Sequence, residues 1–327
     1  MTTDSAQDRL QEIAPGLYQF DTHYVRPRHT ACYVVVEQGR AAIVDCGVPA
    51  NVPPLLAALE GIGVAREAVD WVIPTHAHLD HCGGAGQLMQ ELPAAKLATH
   101  PSAAPHLIDP EQLEAGVRAL YGDDFFDREY APIIPVEAAR VLETEDDEEI
   151  ELAGRVLRAI HTPGHAWHLE SILDTATNTL ISGDAFGNAY PELVGDDGPL
   201  VLPVVPPPQF KPEVYKASID RIVALQPDRV ALGHFGAIDD PERAGADLRR
   251  LVDDWVEKCW QVASADELLA AFLEAGDREL ERRGRSEDQA AFREAYHMDL
   301  WLTAEGMWLW RRKEEKKRAE QAGGQGV

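Results

Sequence analysis

Nowhere in this chain of 327 residues do apolar side chains run unbroken for the ~20 positions that a membrane-crossing helix requires, so no membrane partner is expected. Cysteine is scarce. Cys32, Cys46, Cys82 and Cys259 are scattered, form no paired framework, and read as reduced thiols of a cytoplasmic protein. Positive charge is scarce as well: 30 lysines and arginines face 56 acids, a formal net charge of −26. A phosphate backbone would be repelled, so nucleic acid is not an expected partner. A solvated acidic surface is the plain reading of that charge, with selection for a cationic substrate as the other. Residues 1–21 are polar and acidic and lack the apolar centre of a signal peptide, which argues against secretion by that route.

What is present is a 45% hydrophobic chain long enough for one large domain, or one domain with an appendage. Residues 75–84 read T-H-A-H-L-D-H-C-G-G and follow a short apolar run, 70–74, that reads as a buried strand. His76 and His78 alternate, so in extended backbone both imidazoles reach the same side. Asp80 and His81 follow where the chain turns into an expected helix over 80–92. A zinc-type ion takes nitrogen and oxygen ligands at roughly 2.0–2.2 Å. Four such ligands within six residues exceed what one tetrahedral ion with an open position can use, which suggests two metals.

The rest of the chain repeats one pattern. Residues 1–9 read as a frayed terminus. Strands are expected at 17–20, 31–37 and 41–45, the last ending in Asp45-Cys46-Gly47, then a helix at 52–59 and a strand at 96–100. Residues 101–135 break the rhythm with a helix at 110–121 and the aromatics Phe125, Phe126 and Tyr130, an insertion read as a lid or an interface. Residues 143–151 hold seven acids in nine positions and read as a solvated turn. A strand at 156–160 ends in His161-Thr162-Pro163-Gly164-His165. One at 179–181 ends in Ser182-Gly183-Asp184, and one at 229–232, after an amphipathic helix at 212–225, ends in Gly233-His234. Layered α/β folds deliver functional groups from strand ends at one shared edge. Beyond 242 the chain reads as helical and carries five of the seven tryptophans, which argues for packed helices and hints at a homodimer. Residues 311–318 read as a solvated helix end.

These residues resemble the metallo-β-lactamase superfamily. The marks are His76-x-His78-x-Asp80-His81, Gly164-His165, Gly183-Asp184 and Gly233-His234 in that order, with Asp45 matching the acid that ends an early strand in that family. The resemblance covers roughly residues 13–237 and implies an αββα four-layer sandwich. The domain is placed at 10–240, with the insertion at 101–135 and a helical extension at 241–327. By the same resemblance His76, His78 and His165 would hold one metal, Asp80, His81 and His234 the other, and Asp184 would bridge them. The metals would be zinc, with iron or manganese compatible with the same donors. His78 stands where flavodiiron relatives carry glutamate, which disfavours that redox site. A closer likeness, to a poorly characterised prokaryotic subgroup, rests on residues 104–110 and 162–168 and leaves the substrate open.

Two cations about 3.5–4 Å apart can share a hydroxide that serves as nucleophile at neutral pH. Asp80 and Asp184 are the carboxylates expected to act in that chemistry. Asp45 is read as orienting a ligand histidine, or as a turn former. His168 is read as facing the substrate, or as a structural hydrogen bond. Tyr190 would contact substrate, as a tyrosine shortly after this aspartate does in the lactonase branch. His161 would stabilise its turn, His100 and His106 would be structural or interfacial, and His23, His29 and His297 have no assignment. The expected function is a dinuclear hydrolase of an ester, thioester or lactone small molecule. The alternatives are a mononuclear-iron sulfur dioxygenase, a phosphodiesterase, and a non-enzymatic metal scaffold.

Overall fold

The computed structural model describes residues 5–195, 198–206 and 208–324. Of the expected frayed terminus, residues 1–4 lie outside that description, and Ala6–Arg9 form a 3-10 turn leading into the first strand. The extension's last residues, 325–327, also lie outside it.

Seven strands form the first sheet in chain order: β1 (Leu10–Ala14), β2 (Leu17–Asp21), β3 (Ala31–Glu37), β4 (Arg40–Val44), β5 (Val69–Ile73), β6 (Lys96–Thr99) and β7 (Val141–Glu143). The first four pair antiparallel through hairpins, and β4 to β7 run parallel through helical crossovers. The second sheet contains β8 (Glu148–Leu152), β9 (Arg155–His161), β10 (Glu170–Asp174) and β11 (Thr179–Ile181). A small separate hairpin, β12 (Val194–Gly195) with β13 (Gly198–Pro199), follows. Then β14 (Arg229–Ala231) and β15 (Ala237–Ile238) complete the second sheet beside β11.

Alternation along the strands sets the layers. In β3, Ala31, Tyr33 and Val35 join a core shared with Ile150, Leu157, Ile172 and Leu180 of the second sheet. Cys32 and Val34 face the other way, into a core shared with helix α1 (Val52–Gly61). A strand apolar on both faces belongs in an inner layer. The expected αββα sandwich is therefore the architecture found.

The helix expected over 80–92 is two pieces, α2 (Leu79–Cys82) and α3 (Ala85–Glu91). The break falls at Gly83 and Gly84, where the chain is pressed close to its neighbours. A Cβ on Gly84 would sit 2.8 Å from Val52 and 3.1 Å from the Cys46 carbonyl. The 101–135 stretch forms α4 (Ala104–Ile108), α5 (Glu111–Tyr121) and α6 (Asp123–Glu129). Phe126 and Tyr130 are buried there, and the Tyr130 hydroxyl lies 2.7 Å from that of Tyr24. The acidic run is only partly a turn, because Glu148 to Leu152 pair with β9 as strand β8.

Helix α7 (Pro212–Ala224) packs on α8 (Pro241–Gln261), and α9 (Ala265–Arg282) on α10 (Gln289–Gly324). Leu248, Trp255, Phe272, Phe292 and Tyr296 belong to the same apolar core as the second sheet, and Trp255 stacks on Phe272 at 4.2 Å. Among the described residues no helix is long and apolar enough to cross a membrane.

Candidate metal centre

Strand pairing brings the ligand segments together. Val44 pairs with Ile73 in parallel, so Asp45 and loop 74–78 leave the sheet edge side by side. Ile181 pairs with Ala231 in parallel, so Gly183-Asp184 and Gly233-His234 do the same from the second sheet. His165 comes from the loop joining antiparallel β9 and β10. Pro74 follows β5, the chain bends through Thr75 to Ala77, His78 is extended (φ −86°, ψ 141°), and α2 then starts and turns Asp80 and His81 inward.

Two groups of ligand atoms result, His76, His78, His165 and Asp184 in one, and Asp80, His81 and His234 in the other. In the first, the Nε2 atoms of His76 and His165 each lie 3.0 Å from His78 Nδ1. Asp184 Oδ2 is 3.3 Å from His165 Nε2 and 3.9 Å from His76 Nε2. In the second, His81 Nε2 is 3.4 Å from His234 Nε2 and 3.7 Å from Asp80 Oδ2, and His234 Nε2 is 3.3 Å from Asp80 Oδ2. Asp184 Oδ1 reaches this group, 3.3 Å from His81 Nε2.

Three of the five rings have their outer nitrogen held by a hydrogen bond. His165 Nδ1–H donates to the Val204 carbonyl (2.8 Å), and His81 Nδ1–H to Asp45 (2.9 Å). His76 Nδ1–H donates to the Thr75 hydroxyl (3.0 Å), which itself donates to Asp45 (2.9 Å). In its neutral form each of these three rings turns a lone pair inward. Imidazole nitrogens and carboxylate oxygens gathered this closely are a donor set that a divalent cation can share. For ligands at ~2.1 Å, the edge of a tetrahedron is about 3.4 Å, in line with these spacings. Buried Asp184 Oδ1 has no hydrogen-bond donor among the described residues. The donor set fits divalent metal ions.

Burial and neighbouring imidazoles push His76 and His78 well below the usual imidazole range, and burial lowers His165. Burial acts the same way on His81 and His234, but the Asp184 and Asp80 carboxylates outweigh it and raise both. Asp184 and Asp80 are held below the ordinary carboxylate range by those imidazoles, against their burial.

The glycines beside the ligands are steric requirements. A Cβ on Gly233 would lie 2.7 Å from His81 Cε1 and 2.8 Å from Asp184 Oδ1. Gly183 has φ +50°, and a Cβ there would lie 2.6 Å from the Thr75 hydroxyl.

Asp45, fully buried in a left-handed conformation (φ 59°), orients His81 and accepts the Thr75 N–H (2.7 Å). His168 is buried, and its Nδ1 accepts the N–H of Ala77 (3.2 Å), between two ligands, so its proton lies on Nε2. Burial and His106 push it down to about 3, and it is neutral. Tyr190 is fully buried and gives its hydroxyl to Asp299 of α10. Its ring stacks on His29 (5.3 Å), which meets His234 edge to face (5.2 Å). His161 packs on His100 (4.2 Å) and reaches toward Glu170 (3.8 Å), rather than bracing its turn. His29 and Asp299 escaped the sequence reading, since neither stands in a motif and their contacts span more than a hundred positions.

Residues 25–234 match the family model described as the metallo-beta-lactamase superfamily. A metallo-beta-lactamase fold-containing protein of Sulfurisphaera tokodaii is 26% identical over 233 residues, 70% of this chain and 79% of its own. A hydroxyacylglutathione hydrolase of a Synechococcus species is 42% identical over 65 residues, 20% of this chain and 23% of its own. The crystal structure of a metallo-beta-lactamase family protein from Thermus thermophilus shares the fold with a TM-score of 0.65 at 21% identity, covering 93% of this chain and 95% of that one.

Proposed function

The chain belongs to the metallo-beta-lactamase superfamily, and on that premise we propose that it holds two divalent cations, zinc foremost, and hydrolyses an ester, thioester or lactone small molecule. The observation that carries the reading is the reach of Asp184, whose Oδ1 lies 3.3 Å from His81 and whose Oδ2 lies 3.3 Å from His165. One carboxylate serving two imidazole groups suits a bridge between two ions. When bound, such ions supply Lewis acidity, which brings a water's pKa down to roughly 7 and draws charge from a substrate oxygen.

The chain's own residues do the rest. Asp45, Thr75 and the Val204 carbonyl fix the ligand tautomers. Neutral His168 keeps a proton on Nε2 beside His76 and His78, where it can donate to a developing oxyanion without changing its charge. The likeness to a protein named hydroxyacylglutathione hydrolase supports the thioester end of the range. Four free, buried cysteines support a cytoplasmic setting.

The test is elemental analysis of freshly purified protein, paired with ester, thioester, lactone and phosphodiester substrates. Two equivalents of metal are expected, with hydrolysis of an ester, thioester or lactone that a chelator abolishes and zinc restores. Full activity in metal-stripped protein would overturn the reading. One iron with oxygen uptake on a persulfide would favour the dioxygenase, and cleavage of the phosphodiester alone the phosphodiesterase.

A further inference from the structure

The five ligand imidazoles are not held alike. His76, His81 and His165 each have their outer nitrogen in a hydrogen bond, and His78 is half-buried. His234 is buried, and its Nδ1 has no partner among the described residues. An outer hydrogen bond is the usual device that fixes a ligand ring and strengthens its lone pair, and none is found for this ring among the described residues.

What His234 has is a column of packed groups. His29 meets it edge to face, the centroids 5.2 Å apart at 88°. Tyr190 lies flat on His29, 5.3 Å away at 19°, and Tyr296 leans on Tyr190 at 4.6 Å. His29 is tied by Nδ1 to the Thr30 hydroxyl (3.0 Å). The Tyr190 hydroxyl bonds Asp299, and its backbone N–H donates to the Tyr296 hydroxyl (3.1 Å). Asp299 and Tyr296 both belong to α10. The last helix of the chain thus reaches a ligand imidazole through two rings, with every member of the column buried.

We propose that Asp299, Tyr190 and His29 are positioning residues for His234, and that they tune the cation position of Asp80, His81 and His234 separately from that of His76, His78 and His165. This inference rests on the two-cation reading above. Because packing holds His234 where its Nδ1 finds no hydrogen bond among the described residues, its cation position depends on α10 and is expected to fill second.

The experiment is a stepwise Zn²⁺ titration of the metal-free, full-length protein against a chromophoric competing chelator, with Co²⁺ absorption spectra as the second readout. The wild type is expected to take two equivalents, the first more tightly. Tyr190→Phe keeps the stacked ring but loses the bond to Asp299, and His29→Ala removes the ring. Each is expected to weaken the second step about 10–100-fold, the usual cost of losing an outer support, and to leave the first step and its Co²⁺ spectrum unchanged. His29→Phe restores a ring and should recover much of the second step. Circular dichroism of each metal-free variant checks the fold, and Tyr190→Phe, nearly isosteric, keeps the test alive if His29→Ala folds poorly. An unchanged second step in Tyr190→Phe, or both steps weakening together, would overturn the inference. A wild type that takes a single equivalent would sink the two-cation reading itself, which the wild-type titration shows before any variant is made.

Discussion

The Asp45 carboxylate and His81 Nδ1 lie 2.9 Å apart with both side chains out of solvent, and the same carboxylate accepts the backbone N–H and the hydroxyl of Thr75. Asp45 thereby steers His81 directly and His76 through Thr75, one ligand in each group. Asp45→Ala is expected to weaken both cation-binding steps, each by about 10–100-fold. That differs from the second-step effect expected of Tyr190→Phe, and the same chelator titration separates them. An Asp45→Ala protein with wild-type affinity would show that Asp45 serves the turn alone.

Gly233→Ala tests how tightly the second group is built. The new methyl would press on His81 Cε1 at 2.7 Å and Asp184 Oδ1 at 2.8 Å, both part of the ligand set. Gly233 is not at positive φ, so the backbone itself tolerates alanine. The expected result is loss of metal with the fold kept. Metal content should fall to one equivalent or less, while urea unfolding shifts by the ~1–3 kcal/mol of ordinary overpacking. Full metal content would mean that the ligands can move aside.

The cluster of candidate metal ligands was legible because its signals are local. His76, His78, Asp80 and His81 sit within six residues, and Asp45, Asp184 and His234 each follow a short apolar strand. Short apolar runs marked the strands, and their apolar character on both faces fits β3 and β4, which send successive side chains to two different cores. The split between α2 and α3 was not legible, because it depends on how near Val52 and Cys46 come to Gly84. Nor was the pairing of Glu148 to Leu152 with β9, where cross-strand bonding overrides an acidic composition. Tyr190 was singled out for its distance from Asp184 along the chain. Which way it points is set by Asp299, 109 positions on, and nothing within a turn or two of sequence encodes that.

Arg155 and Asp174 form a buried bidentate ion pair between β9 and β10, and Arg155 also donates to the Pro15 carbonyl (3.1 Å). Asp174→Ala removes the bidentate partner of a guanidinium that is 5% exposed and leaves it only Glu37 at 3.9 Å and backbone carbonyls. Removing one partner of such a pair costs about 3–5 kcal/mol, because the remaining charge cannot recover its water. The double replacement Arg155→Met with Asp174→Leu should cost clearly less than Asp174→Ala, since no charge is left behind. Urea unfolding of the three proteins measures this, and equal losses in the single and double variants would contradict it.

Glu170 sets a pH dependence of stability. Its side chain is fully buried at the start of β10, with Oε1 unpartnered among the described residues. Burial pushes its carboxyl from 4.5 up to about 8; Glu148 and Asp45 add to that push, and the hydroxyl it accepts from Thr144 works against it. His161 Nε2 stands 3.8 Å away. Because the folded value is raised, the protonated form favours folding. Its contribution is complete below pH 4.5, declines as pH rises, and is gone above about 8. The swing is on the order of a few kcal/mol. Glu170→Gln keeps the shape and the hydrogen bonding of the protonated acid but cannot ionise. Metal-free Glu170→Gln should therefore match the wild type in unfolding free energy near pH 5 and exceed it near pH 9. The difference between the two proteins reads this carboxyl together with its contact to the His161 imidazole. A gap of the same size at both pH values would show that Glu170 is already ionised in the folded protein.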